Sequence, residues 1–261
     1  MLLNTIKSWL ALPVTQNLDI DSPETTTLRL RIIKENPFLR KLYSEWYASI
    51  AWHLPRNLDG SVVEIGSGGG FLKDIIPGLV TSEDLRIPDV DLIFDGHRLP
   101  FRRESLRGIV MLDVFHHLSR AKLFLAEASD CIKPDGAIIM IEPWRTGWSK
   151  VIYKYLDHDS FDAEAQNWDF PESGPLSGSN LALPWIIFDR DRKILEQQLP
   201  LWQVKDITLH TPFRYLLSGG VSLRSLTPVC SFSMWKRFEE LLQPWIHVWA
   251  MFATIVLRRK D

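Results

Sequence analysis

The run Val62-Val63-Glu64-Ile65 leads directly into Gly66-Ser67-Gly68-Gly69-Gly70-Phe71. Three β-branched residues around one acid read as a short buried strand. The glycines behind it let the backbone turn sharply and come close to a ligand. A dinucleotide fingerprint needs glycine at the first, third and sixth places, the last for close helix–strand packing. Counted from Gly66, the sixth place is Phe71, and a large aromatic ring defeats that packing. What remains is Gly-x-Gly-x-Gly behind an acid. By itself the pattern suits a ligand cradle or a tight strand-to-helix turn.

Beyond the loop, strands and helices alternate. Phe71 opens a short helix over residues 71–76, stopped by Pro77-Gly78. A second strand lies within residues 79–86 and carries Glu83 and Asp84 near its end. A third spans residues 89–96 and ends on Asp95-Gly96, followed by Leu99-Pro100-Phe101. The fourth, residues 106–112, carries an apolar run suited to a central parallel strand. It ends in Asp113-Val114-Phe115-His116-His117-Leu118. Ser119 is placed to cap a helix on which Leu125, Ala128 and Ile132 share a face. Lys133-Pro134-Asp135-Gly136 turns the chain into a fifth strand, residues 137–141, closed by Glu142-Pro143. Such alternation makes a parallel sheet covered by helices. Ligands of open sheets sit outside the carboxyl ends of the strands, where residues 64–70, Asp84, Asp95, residues 113–117 and Glu142 all fall.

On these residues the sequence resembles the class I S-adenosylmethionine-dependent methyltransferases, and within them the subgroup called methyltransferase type 11. The family's first motif is an acid, a hydrophobe and Gly-x-Gly-x-Gly, here Glu64-Ile65-Gly66-Ser67-Gly68-Gly69-Gly70. Leu99-Pro100-Phe101 behind Asp95, the His116-His117-Leu118 stretch and Glu142-Pro143 are similar to the subgroup's own, so the resemblance covers residues 60–143. Asp135 departs from the usual Lys-Pro-Gly-Gly, in a turn that tolerates Asp.

The resemblance implies an α/β fold: a Rossmann-like seven-stranded, mostly parallel sheet with helices on both faces and an antiparallel last strand. It implies S-adenosylmethionine as cofactor, with Glu64, Gly66, Ser67, Gly68 and Gly70 at its methionine end. Asp84, with Leu85 beside it, is expected at the ribose, because a carboxylate accepts hydrogen bonds from both hydroxyls. Asp84 is preferred to Glu83, which points away if the strand stays extended. Asp95 and Gly96 are assigned to adenine, and Asp113 completes the set. His117 or His116 is the candidate general base, because an unperturbed imidazole titrates near neutrality. The same pair also suits a purely structural role at the strand end. Glu142 either binds acceptor hydroxyls or holds the loop.

Outside that region no family signature helps. Ser22 is placed to cap a helix begun by Pro23, and Leu39, Leu42, Trp46, Ile50 and Leu54 recur at helical spacing on the next. Residues 1–58 are read as an N-terminal helical extension, closing over the cofactor or capping the sheet edge. Residues 59–261 are read as the methyltransferase domain, with a lid or acceptor insertion near 144–200. Residues 157–172 hold Asp157, Asp159, Asp162, Glu164, Asp169 and Glu172 without Lys or Arg, the pattern of a solvated loop or of a lid on the acceptor pocket. Asp157, His158 and Asp159 have no distant partner ligands in the pattern, so no metal is expected. The glycine pair in residues 215–221 lacks a strand-and-acid context. Helices are expected at 148–156, 189–199 and 233–242, and strands at 202–209 and 250–257.

At 261 residues, 46% apolar and 24% charged, the composition is globular. A net charge of −2 offers no basic stripe for nucleic acid. Two cysteines suit a reducing compartment. Residues 1–12 lack the charged start and cleavage site of a signal peptide. Residues 241–257 are short and interrupted by Gln243, Pro244 and His247, so they read as a buried helix end and a core strand rather than a membrane span. A cytoplasmic enzyme is expected, methylating a hydroxyl of a small-molecule, lipid or sugar acceptor, with peripheral membrane contact compatible. The alternative is a non-catalytic S-adenosylmethionine-binding or assembly protein. Of eleven tryptophans, eight lie from Trp144 onward, suited to core packing, an apolar acceptor pocket or contact with a membrane surface.

Overall fold

The computed structural model describes residues 9–15, 18–68, 70–157, 159–171, 174 and 178–261. Two helices come first, α1 (Pro23–Glu35) and α2 (Pro37–His53). Then follow β1 (Ser61–Ile65), β2 (Val80–Glu83), β3 (Leu92–Ile93), β4 (Leu106–Leu112), α3 (Ala121–Cys131) and β5 (Ile132–Pro143). The remainder holds α4 (Gly147–Tyr155), α5 (Arg192–Gln198), β6 (Trp202–His210), α6 (Arg214–Ser218), α7 (Phe232–Leu241) and β7 (Phe252–Arg259). The seven strands form one sheet in the order β3-β2-β1-β4-β5-β7-β6. β7 runs antiparallel between β5 and β6, and the other neighbours pair in parallel. This is the Rossmann-like sheet the sequence implies.

Side chains alternate across the central strands into two cores, which is why those strands read as unbroken apolar runs. Val63, Ile109, Met111, Ile138 and Met140 face α3 and Trp202. Val62, Val110, Ile139 and Ile141 face α2. Ser22 does cap α1, its side chain accepting the Thr25 N–H. On α2, Leu39, Leu42, Trp46 and Ile50 are all buried. The Trp46 indole N–H donates to Thr211 Oγ1 at 3.2 Å, and its ring lies 4.8 Å from that of Phe252.

Several expectations are corrected. No helix follows the glycine loop; a single 3-10 turn, Leu72–Asp74, is all that forms before Pro77. The face such a helix would cover is taken by α2, whose apolar stripe packs with Leu72, Ile76 and Leu79. The third strand shrinks to two residues because Asp91 turns away to accept the Thr81 N–H at 2.9 Å and to pair with Lys73. Ser119 does not cap α3: Arg120 stands at the N-cap, and the Ser119 hydroxyl lies 3.4 Å from His97 Nε2. The helix expected at 189–199 is a π-helical turn, Ile186–Arg190, followed by α5. Residues 241–249 are a surface feature rather than a buried helix end, with Leu241 73% and Trp245 56% exposed. The acid-rich run is tethered at several points, while Asp162, Glu164 and Asp169 stay exposed to solvent, as a solvated loop requires. Asn180 accepts the Asp162 N–H, Ser179 donates to Asp159, and Trp168 donates to Asp191. His158 and Glu172 of that run, Gly69 of the loop and residues 1–8 lie outside the described residues.

If α2 belongs to the same cooperative unit as the sheet, Trp46→Ala is expected to cost about 3–5 kcal/mol. Urea unfolding followed by circular dichroism checks this; a loss below about 1 kcal/mol separates α2 from the core.

Candidate functional site

The loop after β1 is fixed by its neighbours on both sides. The Ser67 N–H donates to the Ser82 carbonyl of β2 at 3.0 Å, and the Ser82 hydroxyl donates back to the Glu64 carbonyl at 2.8 Å. Gly66 turns at φ +65°, and a Cβ there would meet Val114 at 2.6 Å. A Cβ on Gly70 would meet the Tyr47 hydroxyl at 2.3 Å. Phe71, the residue that defeats the dinucleotide pattern, sets its ring edge-on to Tyr47 of α2 at 4.9 Å.

This loop borders a cavity of about 550 Å³ at the carboxyl ends of β1, β2 and β4. Glu64, Gly66, Ser67, Gly68, Gly70, Asp84, Leu85, Asp95, Gly96 and Asp113 all line it, as does His117. Glu83 lines it too, contrary to the expectation that it points away, and its carboxyl group accepts the Gly68 N–H. The strand pairs with β3 only at Ser82 and Glu83 and ends there, which leaves both acids at the rim.

The acids differ in state. Burial, and then the neighbouring Glu83, lift Glu64 to about 8. Among the described residues its carboxyl group has no hydrogen-bond partner, although it is 3% exposed. Burial also lifts Glu83 to about 7, against the Gly68 N–H that lowers it. Asp95 is held by His97, whose backbone N–H and Nδ1 both lie 2.8 Å from Oδ1. The far nitrogen of His97 accepts the Arg120 N–H at 3.2 Å, so this ring is the Nδ1–H tautomer.

At the end of β4 the backbone of Asp113 adopts φ +61°. The following turn wraps around Glu142, which has no exposed surface. Glu142 accepts the N–H of Val114 at 2.9 Å, that of Phe115 at 2.7 Å and His116 Nδ1–H at 2.8 Å. Burial pulls the His116 imidazole down, but the Glu142 hydrogen bond and nearby Asp113 and Asp159 outweigh it and raise it to about 9. Neither His116 nor Glu142 lines the cavity, which corrects their candidacy as base and acceptor ligand. Burial, offset by His116 and reinforced by Glu142, lifts Asp113 to about 7.

His117 takes the opposite side of the turn. Its Nδ1 lies 3.2 Å from the Gly178 carbonyl, and it borders both the large cavity and a second one of about 100 Å³. Arg29, Asp113, His117 and Val221 line both spaces, so the two adjoin. The smaller chamber has apolar walls from Ile152, Leu156, Leu181 and Phe252, with Asp157 and Asp159 among its polar groups. Sequence reasoning missed Thr26, Arg29, Tyr43 and Tyr47 of the N-terminal helices, and the glycine pair before Val221. No local motif marks them; they reach the site only through tertiary packing. Donor atoms of His116, His117 and Asp159, and of Asp113, His116 and Glu142, come within 4.8 Å of one another. Both sets run through His116, whose Nδ1 is already engaged by Glu142 at 2.8 Å.

Residues 63–140 match the family model described as a methyltransferase domain. No curated protein sequence matches the chain. Among solved structures, the chain is similar to a geranyl diphosphate C-methyltransferase from Streptomyces coelicolor A3(2) in complex with Mg2+, geranyl diphosphate and S-adenosyl-L-homocysteine. Identity is 12%, with 87% of this chain and 82% of that one covered at a TM-score of 0.51. It also matches Haemonchus contortus phosphoethanolamine N-methyltransferase 2 in complex with phosphomonomethylethanolamine and S-adenosylhomocysteine, at 11% identity, 83% and 52% coverage and a TM-score of 0.49. These likenesses concern the fold. With the domain match over residues 63–140, the seven-stranded sheet and its antiparallel β7 give the chain the Rossmann-like fold of the S-adenosylmethionine-dependent methyltransferases.

The residues fit that cofactor. A cationic ligand meets a buried, partnerless carboxyl in Glu64 and a second acid in Glu83. Because burial and Glu83 raise Glu64 to about 8, a cation bound beside it is expected to lower that value and expel a proton. Calorimetry at pH 7 in buffers of different ionisation enthalpy is expected to report proton release on S-adenosylmethionine binding, lost in Glu64→Gln. Binding heats independent of buffer contradict the assignment.

Proposed function

We propose that the chain methylates an oxygen of a small-molecule, lipid or sugar acceptor held in the smaller chamber. When bound, S-adenosylmethionine supplies an electrophilic methyl group on a sulfonium sulfur. Glu64, Gly66, Ser67, Gly68 and Gly70 hold its amino-acid end, Glu83, Asp84 and Leu85 its ribose, and Asp95 with Gly96 its adenine. Asp113 stands where the two spaces meet. Within the N-terminal extension, residues 1–58, α1 and α2 wall the cofactor cavity through Thr26, Arg29, Tyr43 and Tyr47, and the insertion near 144–200 supplies Ile152, Leu156 and Leu181 to the acceptor side.

One observation supports this division above the others: His117 borders both cavities at their junction. A group there can take the proton of an acceptor hydroxyl while the acceptor faces the cofactor. The Nδ1–H of His117 meets the Gly178 carbonyl, which orients the ring at the junction for that role. Glu142 and His116 act as positioning residues beneath the turn. Holding two reactants in line supplies on the order of 7–11 kcal/mol, and a general base adds about 10²–10⁴-fold.

No helix among the described residues is long and apolar enough to cross a membrane. Cys131, buried, and Cys230, exposed, are both free thiols, which supports a cytoplasmic, reducing setting. His117→Ala is expected to lower kcat about 10²–10⁴-fold while the S-adenosylmethionine dissociation constant stays unchanged. Acceptor screening with radiolabelled methyl, followed by kinetics on the acceptor found, checks this; full turnover by the variant removes His117 from the role of base.

A further inference from the structure

We infer that the outer surface built by α4, α7 and the turns between α7 and β7 docks on an anionic lipid bilayer. On α7, Met234, Phe238 and Leu241 recur at helical spacing, and all three are exposed, Leu241 by 73%. Trp245 and Val248 continue the exposed apolar row. Val151 and Tyr155 of α4 are exposed as well. The two elements form one face: ring contacts run from Phe238 to Phe213 at 5.9 Å, from Phe213 to Trp249 at 5.9 Å and from Trp249 to Trp148 of α4 at 5.8 Å. An apolar face of this kind, rimmed by polar residues, marks an interaction surface.

Charge selects the occupant. In Gly147–Tyr155 and Phe232–Leu241 the exposed ionic groups are Lys150, Lys154 and Arg237 against Glu240. Glu239 is buried on Arg214, and Lys236 is paired with Glu45. A local excess of cations on a chain of net charge −2 is complementary to an anionic surface. Trp, Phe and Leu flanked by Lys and Arg are the composition of helices that lie in the headgroup region, where Trp and Tyr rings are favoured.

The face also has a route to the chemistry. α4 presents Val151 and Tyr155 outward, while its Ile152 and Tyr153 line the smaller chamber. Docking therefore sets the acceptor chamber one helix away from the lipid surface. The docking itself is independent of the site assignments. Only its consequence, an acceptor hydroxyl delivered from a lipid, rests on the proposed function.

Co-sedimentation of the full chain with vesicles tests this without reference to turnover. Binding is expected to vesicles of equal parts phosphatidylcholine and phosphatidylglycerol, weakening as salt is raised. Leu241→Glu with Trp245→Glu is expected to abolish it, and Lys150→Glu with Lys154→Glu to lower the partition coefficient by at least about tenfold. All these side chains are exposed, so melting temperature and S-adenosylmethionine binding are expected to stay as in the parent. Absence of vesicle binding, equal binding to pure phosphatidylcholine or equal binding by the variants overturns the inference. So does concentration-dependent self-association that Leu241→Glu with Trp245→Glu removes, because the face then serves a second copy of the chain.

Discussion

The Glu142 carboxyl group sits where two strands end and four donors converge, the backbone N–H of His116 at 3.4 Å among them. It accepts the N–H groups of Val114 and Phe115 and the Nδ1–H of His116, with no exposed surface of its own. Taking one partner from a buried charged pair costs on the order of 3–5 kcal/mol. The turn after β4 is therefore held in one shape, and that shape sets Asp113 and His117 on the cavity side while His116 stays beneath. Everything assigned to the junction of the two cavities depends on this grip. β7 adds to it by pairing Ala253 with Glu142 and Phe252 with Pro143, which keeps the strand end in the sheet.

The second constraint is the short crossover from β1 to β2. With only one 3-10 turn there, the sheet would leave Leu72, Ile76 and Leu79 without a cover. α2 supplies that cover, and its Tyr47 closes on Gly70 and Phe71. α1 follows through the shared Asn36, which ends one helix and caps the next by accepting the N–H groups of Phe38 and Leu39. Thr26 and Arg29 are in this way brought to the cavity wall by a segment that contains no part of the glycine motif.

The sheet was legible because burial on both faces leaves apolar runs in β4, β5 and β7 that need no partner to be recognised. The glycine loop and the acids at strand ends were legible for a different reason: their positions follow from spacing along single elements. What escaped were features decided across the chain. Glu83 turns inward because the strand ends with it and Gly68 offers an N–H. Glu142 reads equally as ligand or prop until its four donors are seen. The acid-rich segment is solvated at Asp162, Glu164 and Asp169, but its tethers, Asn180, Ser179 and Arg190, lie further along the chain and leave no local signal. Residues 241–249 look like core by composition, yet their apolar side chains face outward.

The division of labour between the two cavities is tested most directly by a crystal structure of the protein with S-adenosyl-L-homocysteine. The ligand is expected in the larger cavity, its amino-acid end against residues 64–70 and its adenosine between Glu83 and Asp95. The smaller chamber beside His117 is expected to stay open. A ligand bound elsewhere, or one that occupies the smaller chamber, contradicts the assignment.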